Sequence, residues 1–210
     1  MITLLRFRRL EAALRRRGYG PTIEWSQTIT APIDAEAFAS EAIYAVINAG
    51  MRVTVAETIY RRCMTALEAA GTVSGAFGHR GKAKAIDTLW RDRARLFGEY
   101  LDADDQLTFL AALPWIGPVT VNHLAKDLGH DLAKADRHLV RLANRDRTTT
   151  AKLCSRLAVA SGYRIATVDT ILWRACADGL LDSRTYERGG WRMAISREVT
   201  SQAWNTKLPD

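Results

Sequence analysis

The sequence predicts an all-α fold. Apolar residues recur at helical spacing along most of the chain, and no segment alternates apolar and polar side chains as a half-buried strand would. A third observation is the punctuation between the periodic runs, at 18–21, 49–50, 71–81, 102–105, 114–118, 129–134 and 146–150, where Gly, Pro, Asp and Thr supply turns and helix caps. The result is a string of helices of about ten to eighteen residues joined by short turns. A chain of 210 residues buries a substantial core and fits one domain of usual size or two small helical lobes sharing a cleft.

Each element has its own signal. The segment 1–34 carries a first helix with six Arg between residues 6 and 17, in "RFRRLEAALRRRGYG". Phe38, Ala42 and Val46 mark a second apolar face; Val55, Ile59, Cys63 and Leu67 mark a third; Ile86, Leu89, Trp90, Leu96 and Phe97 follow. One helix then ends at Leu113, 114–118 reverses the chain, and 120–128 forms the next. Asp136 precedes "RHLVRLA", and helices within 151–179 close the domain. The segment 181–210 is less periodic and reads as an extension that packs back on the domain or is partly mobile.

Composition narrows the function. Thirty Lys and Arg against 23 Asp and Glu leave a formal charge of +7, unevenly spread, which points to a polyanionic partner. No stretch approaches the apolar length of a membrane span, and the amino terminus has no cleavable signal pattern, so we expect no membrane partner and a cytoplasmic protein. Cys63, Cys154 and Cys176 are odd in number, widely spaced and without a CxxC pair, which argues against a disulfide framework and against a zinc or iron–sulfur site. His79, His123, His130 and His138 are too scattered for a metal site.

The stretch "LPWIGPVTVNHLAKDLG" (113–129) asks why a helix should stop, turn tightly and restart. Gly117 is expected to take backbone angles closed to other residues and to allow another backbone to approach closely. The amides at the start of the second helix, near Val119 and Thr120, lack partners within that helix and point outward with the positive end of its dipole, a geometry that suits a phosphate. A plain helix–helix turn has the same appearance.

This stretch resembles the hairpin of the helix-hairpin-helix (HhH-GPD) DNA glycosylase superfamily, the group that includes endonuclease III. In that family a hairpin of the type LPGIGxxTA is followed, just under twenty residues later, by an Asp that opens a helix; here Asp136 stands seventeen positions after Val119. Upstream, "FGHRGKAKAIDTLW" resembles the family's helix start G-(F/L)-x-x-x-K-A-x-x-I, and "YAVINAGMRVTVAETIYRRC" resembles its LLSAQATDxxVNxxxxxL segment. Downstream, "AKLCSRLAVASGYRIATVDTILWRACADG" is similar to the closing helices. The resemblance implies a two-lobed helical domain over 35–180, with the hairpin at 113–128, between a basic segment 1–34 and a C-terminal segment 181–210.

It also implies a chemistry. Cleaving an N-glycosidic bond builds positive charge on the sugar, and a fixed carboxylate stabilises that state or orients a water. The resemblance assigns this role to Asp136. Asp169, in "VDTILW", is a rival that falls fifty positions after Val119, too late for the hairpin spacing. The enzyme must also extract its nucleotide from the stack. The hairpin (Trp115, Gly117, Val119, Thr120) and the cations Arg80, Lys82 and Lys84 are the expected DNA contacts. The turn from Asn48 to Met51 is the expected wedge, with Asn48 standing where the family has Gln. Tyr44, Met51, Trp25 and Trp173 are candidate pocket walls. Bifunctional members carry a Lys where this chain has Val119, and Lys126 lies roughly 10 Å further along the helix rise, so base release without a lyase step is expected. The four cysteines of the family's iron–sulfur loop are missing, and no cofactor is expected. The resemblance implies a DNA partner, expected to be double-stranded and bound by a monomer in the cytoplasm, at the nucleoid or in a phage host.

Two other readings stay open. Phage proteins similar to this superfamily transfer amino acids or polyamines onto an activated hydroxymethyl-pyrimidine in DNA, and a catalytically silent module would use the hairpin only as a phosphate clip. The base recognised is not legible in the residues.

Overall fold

The computed structural model of the chain describes residues 1–200. It is all-α, and among the described residues the only strand-like pairing is an isolated antiparallel bridge between Leu181 and Ile195. The described chain forms two compact units: residues 1–28 with 131–200 make the first, and residues 29–130 make the second.

The first unit opens with α1 (Leu4–Leu14), N-capped by Thr3, whose side chain accepts from the Arg6 amide. The expected break at 18–21 falls at Gly18, whose left-handed backbone kinks the chain between two helices. The chain passes through a π turn (Arg15–Tyr19), with Gly18 at φ 87, directly into α2 (Gly20–Thr28), where Pro21 falls in the first turn and costs no hydrogen bond.

The second unit holds α3 (Ala35–Asn48), α4 (Val53–Ala70), α5 (Arg80–Arg91), α6 (Arg93–Asp102), α7 (Gln106–Ala111) and α8 (Thr120–Asp127). Within it α3 is central and touches α4, α5, α6 and α8. Its sequence "AEAFASEAIYAVIN" explains that position, because Phe38, Ala39, Ala42, Ile43, Ala45, Val46 and Ile47 are buried over much of the helix surface. The run from Ile86 to Phe97 is two helices, separated at Asp92.

The chain returns to the first unit with α9 (Arg137–Arg145), α10 (Thr150–Ser161), α11 (Ile165–Ala177), α12 (Ser183–Gly189), α13 (Trp191–Ala194) and α14 (Arg197–Thr200). Here α11 is central, packed on α1, α2, α9 and α10. Gly162, at φ 76, ends α10 in the left-handed conformation that most residues avoid. The segment after Gly179 belongs to the core: Leu181, Tyr186, Trp191, Ala194 and Val199 join Phe7, Leu10, Leu139 and Leu172 in one apolar cluster. Residues 201–210 of the expected extension lie outside the described residues.

The basic run of α1 is largely absorbed within this unit. Glu11, 7% exposed, accepts from Arg8, Arg15 and the Tyr163 hydroxyl. Arg17 bonds Glu198 and the Asp178 carbonyl, and Arg6 stacks over Trp191.

Candidate functional site

In the second unit the turn between α7 and α8 is anchored by its apolar residues. Leu113 and Ile116 are buried, and the Ile116 amide donates to the Leu113 carbonyl at 3.1 Å. Trp115, between them, is 49% exposed and holds φ 65, a left-handed backbone rare for a bulky residue. Its ring lies over the start of α5: a Cβ on Gly81 would stand 2.6 Å from Trp115 Cζ2, and the His79 ring meets it edge-on at 5.0 Å. His79 in turn caps α5, its Nδ1 accepting from the Lys82 amide at 3.2 Å.

The expectation for Gly117 is corrected. The residue in the left-handed region is Trp115, Gly117 is not, and a Cβ at 117 would meet open space. Neither backbone angle nor internal packing requires glycine there. Val119 occupies the N-cap of α8 without a side-chain cap and is 51% exposed. The Val121 amide bonds the Gly117 carbonyl at 2.9 Å, while the amides of Val119 and Thr120 meet no acceptor among the described residues.

The three expected cations separate. Lys82 is corrected: it is 7% exposed, and its ammonium donates to the carbonyls of Ala49 (2.8 Å) and Ile47 (3.3 Å), so it closes the C-terminal end of α3 and is not a surface contact. Burial holds its pKa below the ordinary lysine value. Arg80 and Lys84 are exposed and line a cavity of about 540 Å³ with Ser74, Phe77 and Gly78. Asp87 also faces this cavity, but its carboxylate accepts from the Thr72 hydroxyl and the Val73 amide.

The turn proposed as a wedge follows α3 in the same unit. The Met51 amide donates to the Asn48 carbonyl at 3.0 Å, and the Lys82 ammonium pins the intervening backbone. Tyr44, one turn earlier, meets the rings of Tyr60 (5.4 Å) and His123 (6.5 Å) edge-on. Trp25 and Trp173 belong to the other unit. Trp25 is 54% exposed on α2, and Trp173 packs partly buried against the core with the Arg174 guanidinium 4.7 Å from its ring.

Asp136 is the N-cap of α9. Its Oδ1 accepts from the amides of His138 and Leu139, both at 2.9 Å, and the residue is half-buried. This is the capping geometry that "DRHLVRLA" suggests, and it leaves the carboxylate at the start of a helix, where the dipole favours negative charge. Asp169 is 3% exposed on α11, and the Lys134 amide points to its Oδ2 at 3.5 Å; nearby, Asp131 accepts from the Ala166 amide at 2.9 Å. Both carboxylates tie the loop before α9 to α11.

Each histidine has a structural partner: His79 caps α5, His123 faces Asp127 at 3.4 Å, His130 bonds the Tyr100 hydroxyl and His138 bonds Ser183. The three cysteines are buried on α4, α10 and α11, and no group of His, Cys, Asp and Glu suited to a metal occurs among the described residues. No helix among them is long and apolar enough to cross a membrane. Comparison with protein-family models, curated proteins and solved structures finds no match to this chain.

Proposed function

We propose that the protein is a DNA N-glycosylase of the helix-hairpin-helix type, which extracts a damaged or modified nucleotide from duplex DNA and releases its base without strand cleavage. The observation that carries the reading is the position of one carboxylate: Asp136 opens α9, seventeen positions after Val119, the N-cap of α8, the second member of a short helical pair, which has no side-chain cap. The α7–α8 turn, with Arg80 and Lys84 on α5, supplies backbone donors and cations for phosphates. Asp136, fixed by two amide bonds, supplies the charge that stabilises an oxocarbenium-like sugar or orients water toward it. Gly117 supports the phosphate reading, because its lack of a side chain serves nothing inside the protein.

Val119 stands where a lyase nucleophile would be required, so the Schiff base of bifunctional enzymes has no amine at that position. The test is base release from a panel of duplex oligonucleotides carrying modified bases, with borohydride present in a parallel reaction. Free base with no trapped protein–DNA adduct is expected. A trapped adduct removes the monofunctional assignment. Mass gain on a hydroxymethyl-pyrimidine without base loss assigns group transfer instead, and binding with neither product leaves a silent DNA-binding module.

A further inference from the structure

A cavity of about 420 Å³ opens in the first unit where α12 packs on α9. Arg137 and Arg141, one turn apart on α9, line it together with Arg184 of α12, and His138 and Ser183 lie among them. Three guanidinium groups around one small cavity repel one another unless something negative joins them. The chain itself supplies little. Arg141 reaches Glu187 only at 4.0 Å, and Arg137 and Arg184 have no ion pair among the described residues. Asp182 also lines the cavity as the one carboxylate against three guanidinium groups; its Oδ1 accepts from the amides of Arg184 and Thr185 and its Oδ2 from the Thr185 hydroxyl, so its oxygens are engaged at the start of α12.

The rest of the lining is polar and neutral. His138 Nδ1 and Ser183 Oγ are 2.9 Å apart, and Ser183 is 2% exposed. Burial holds the His138 imidazole below its ordinary pKa, so at neutral pH it serves as a hydrogen-bonding ring without adding charge. Burial pushes the Cys176 thiol up to about 12, which keeps it protonated and removes a competing thiolate. Three guanidinium groups against one carboxylate match a tetrahedral dianion better than a planar carboxylate, because several guanidinium forks can each meet a separate oxygen pair.

We propose that this cavity binds a phosphate group, held by Arg137 and Arg184, with Arg141 and the His138–Ser183 pair completing the lining. The phosphate belongs either to a nucleic-acid backbone or to a free phosphate ester, and the cavity chemistry is the same for both. The proposal does not rest on the glycosylase reading.

The test uses the full chain and the double variant Arg137→Gln/Arg184→Gln. One arm titrates adenosine monophosphate and inorganic phosphate at low salt by calorimetry; the other measures duplex affinity across a salt series. Wild type should bind in at least one arm, and the variant should lose tenfold or more there while melting as wild type does. Loss in the first arm assigns a free ester. Loss confined to the duplex arm, with the salt slope reduced by about one or two, assigns a backbone phosphate. Should the double variant melt lower, Arg184→Lys, which keeps charge but loses the fork, decides by the same two affinities. Wild type binding in neither arm, or variants binding as wild type in both, overturns the proposal. Phosphate affinity is read without any base-release assay, so failure of the glycosylase reading leaves the first arm standing, and unchanged phosphate binding by the double variant overturns this proposal alone.

Discussion

Trp115 holds a backbone conformation that costs a residue with a Cβ about 1–2 kcal/mol, and its packing over Gly81 is the interaction available to offset it. Three glycines therefore respond differently to an added side chain. Gly81→Ala puts a methyl into the Trp115 ring; helix propensity gains up to about 1 kcal/mol, so melting should change little while the indole resonance of Trp115 shifts. Gly129→Ala meets the backbone of Thr30 and Ala31 at 2.7 Å at φ 90, and about 2 kcal/mol or more of stability should be lost. Gly117→Val enters open space; the melting temperature should stay near wild type and duplex affinity should fall severalfold. A Gly117→Val protein that binds duplex as wild type removes the close approach from the account. Sequence alone marked this turn, through its Pro and Gly, but misplaced the strain by one residue pair. The left-handed position falls on a Trp because a tertiary contact, invisible to local propensity, holds it there.

Helices show a similar division between what pattern reveals and what packing decides. Their existence was legible from periodicity, and most breaks fell at the marked positions, because Asp105, Asp136 and Thr149 do cap the helices that follow. The role of Lys82 was not legible, since a Lys in "GKAKA" reads as a surface cation until the fold brings the end of α3 against it. Lys82→Met should leave two α3 carbonyls without their donor and cost about 1–3 kcal/mol, with no change in the salt slope of DNA binding. The internal partners of the basic run of α1 were not legible for the same reason. Burial raises the Glu11 pKa, but hydrogen bonds from Tyr163, Arg8 and Arg15 outweigh it and hold the carboxyl below its ordinary value of 4.5. A depressed folded-state pKa stabilises above the unfolded value and loses that contribution as pH falls through the folded one. The melting gap between wild type and Glu11→Gln should thus be widest near neutral pH and close in acid below the carboxylate range. A gap independent of pH would show that packing, not charge, is what Glu11 contributes.

At the scale of the whole molecule the net charge of +7 remains the sequence feature that points to a polyanionic partner, although part of its arginine is engaged inside the first unit. Duplex affinity should fall steeply with salt, with a slope of several counterions, and flat salt dependence would contradict phosphate-dominated binding. The division into two units was only half legible: chain length permits two lobes, but that residues 1–28 join the later helices depends on Phe7, Leu10 and Leu14 finding partners more than a hundred residues away. The central claim is that the charge of Asp136, beyond its capping of α9, drives base release. Asn accepts the same two amide bonds and caps a helix about as well, so Asp136→Asn should melt and bind duplex as wild type does. Removing a charge aimed at a developing cation costs a few kcal/mol, on the order of a hundredfold or more in rate. The deciding measurement is single-turnover base release by wild type, Asp136→Asn and Asp169→Asn on the best substrate of the panel. The account predicts a loss of that size for Asp136→Asn and a rate within a fewfold of wild type for folded Asp169→Asn; an active Asp136→Asn beside an inactive, folded Asp169→Asn would contradict it.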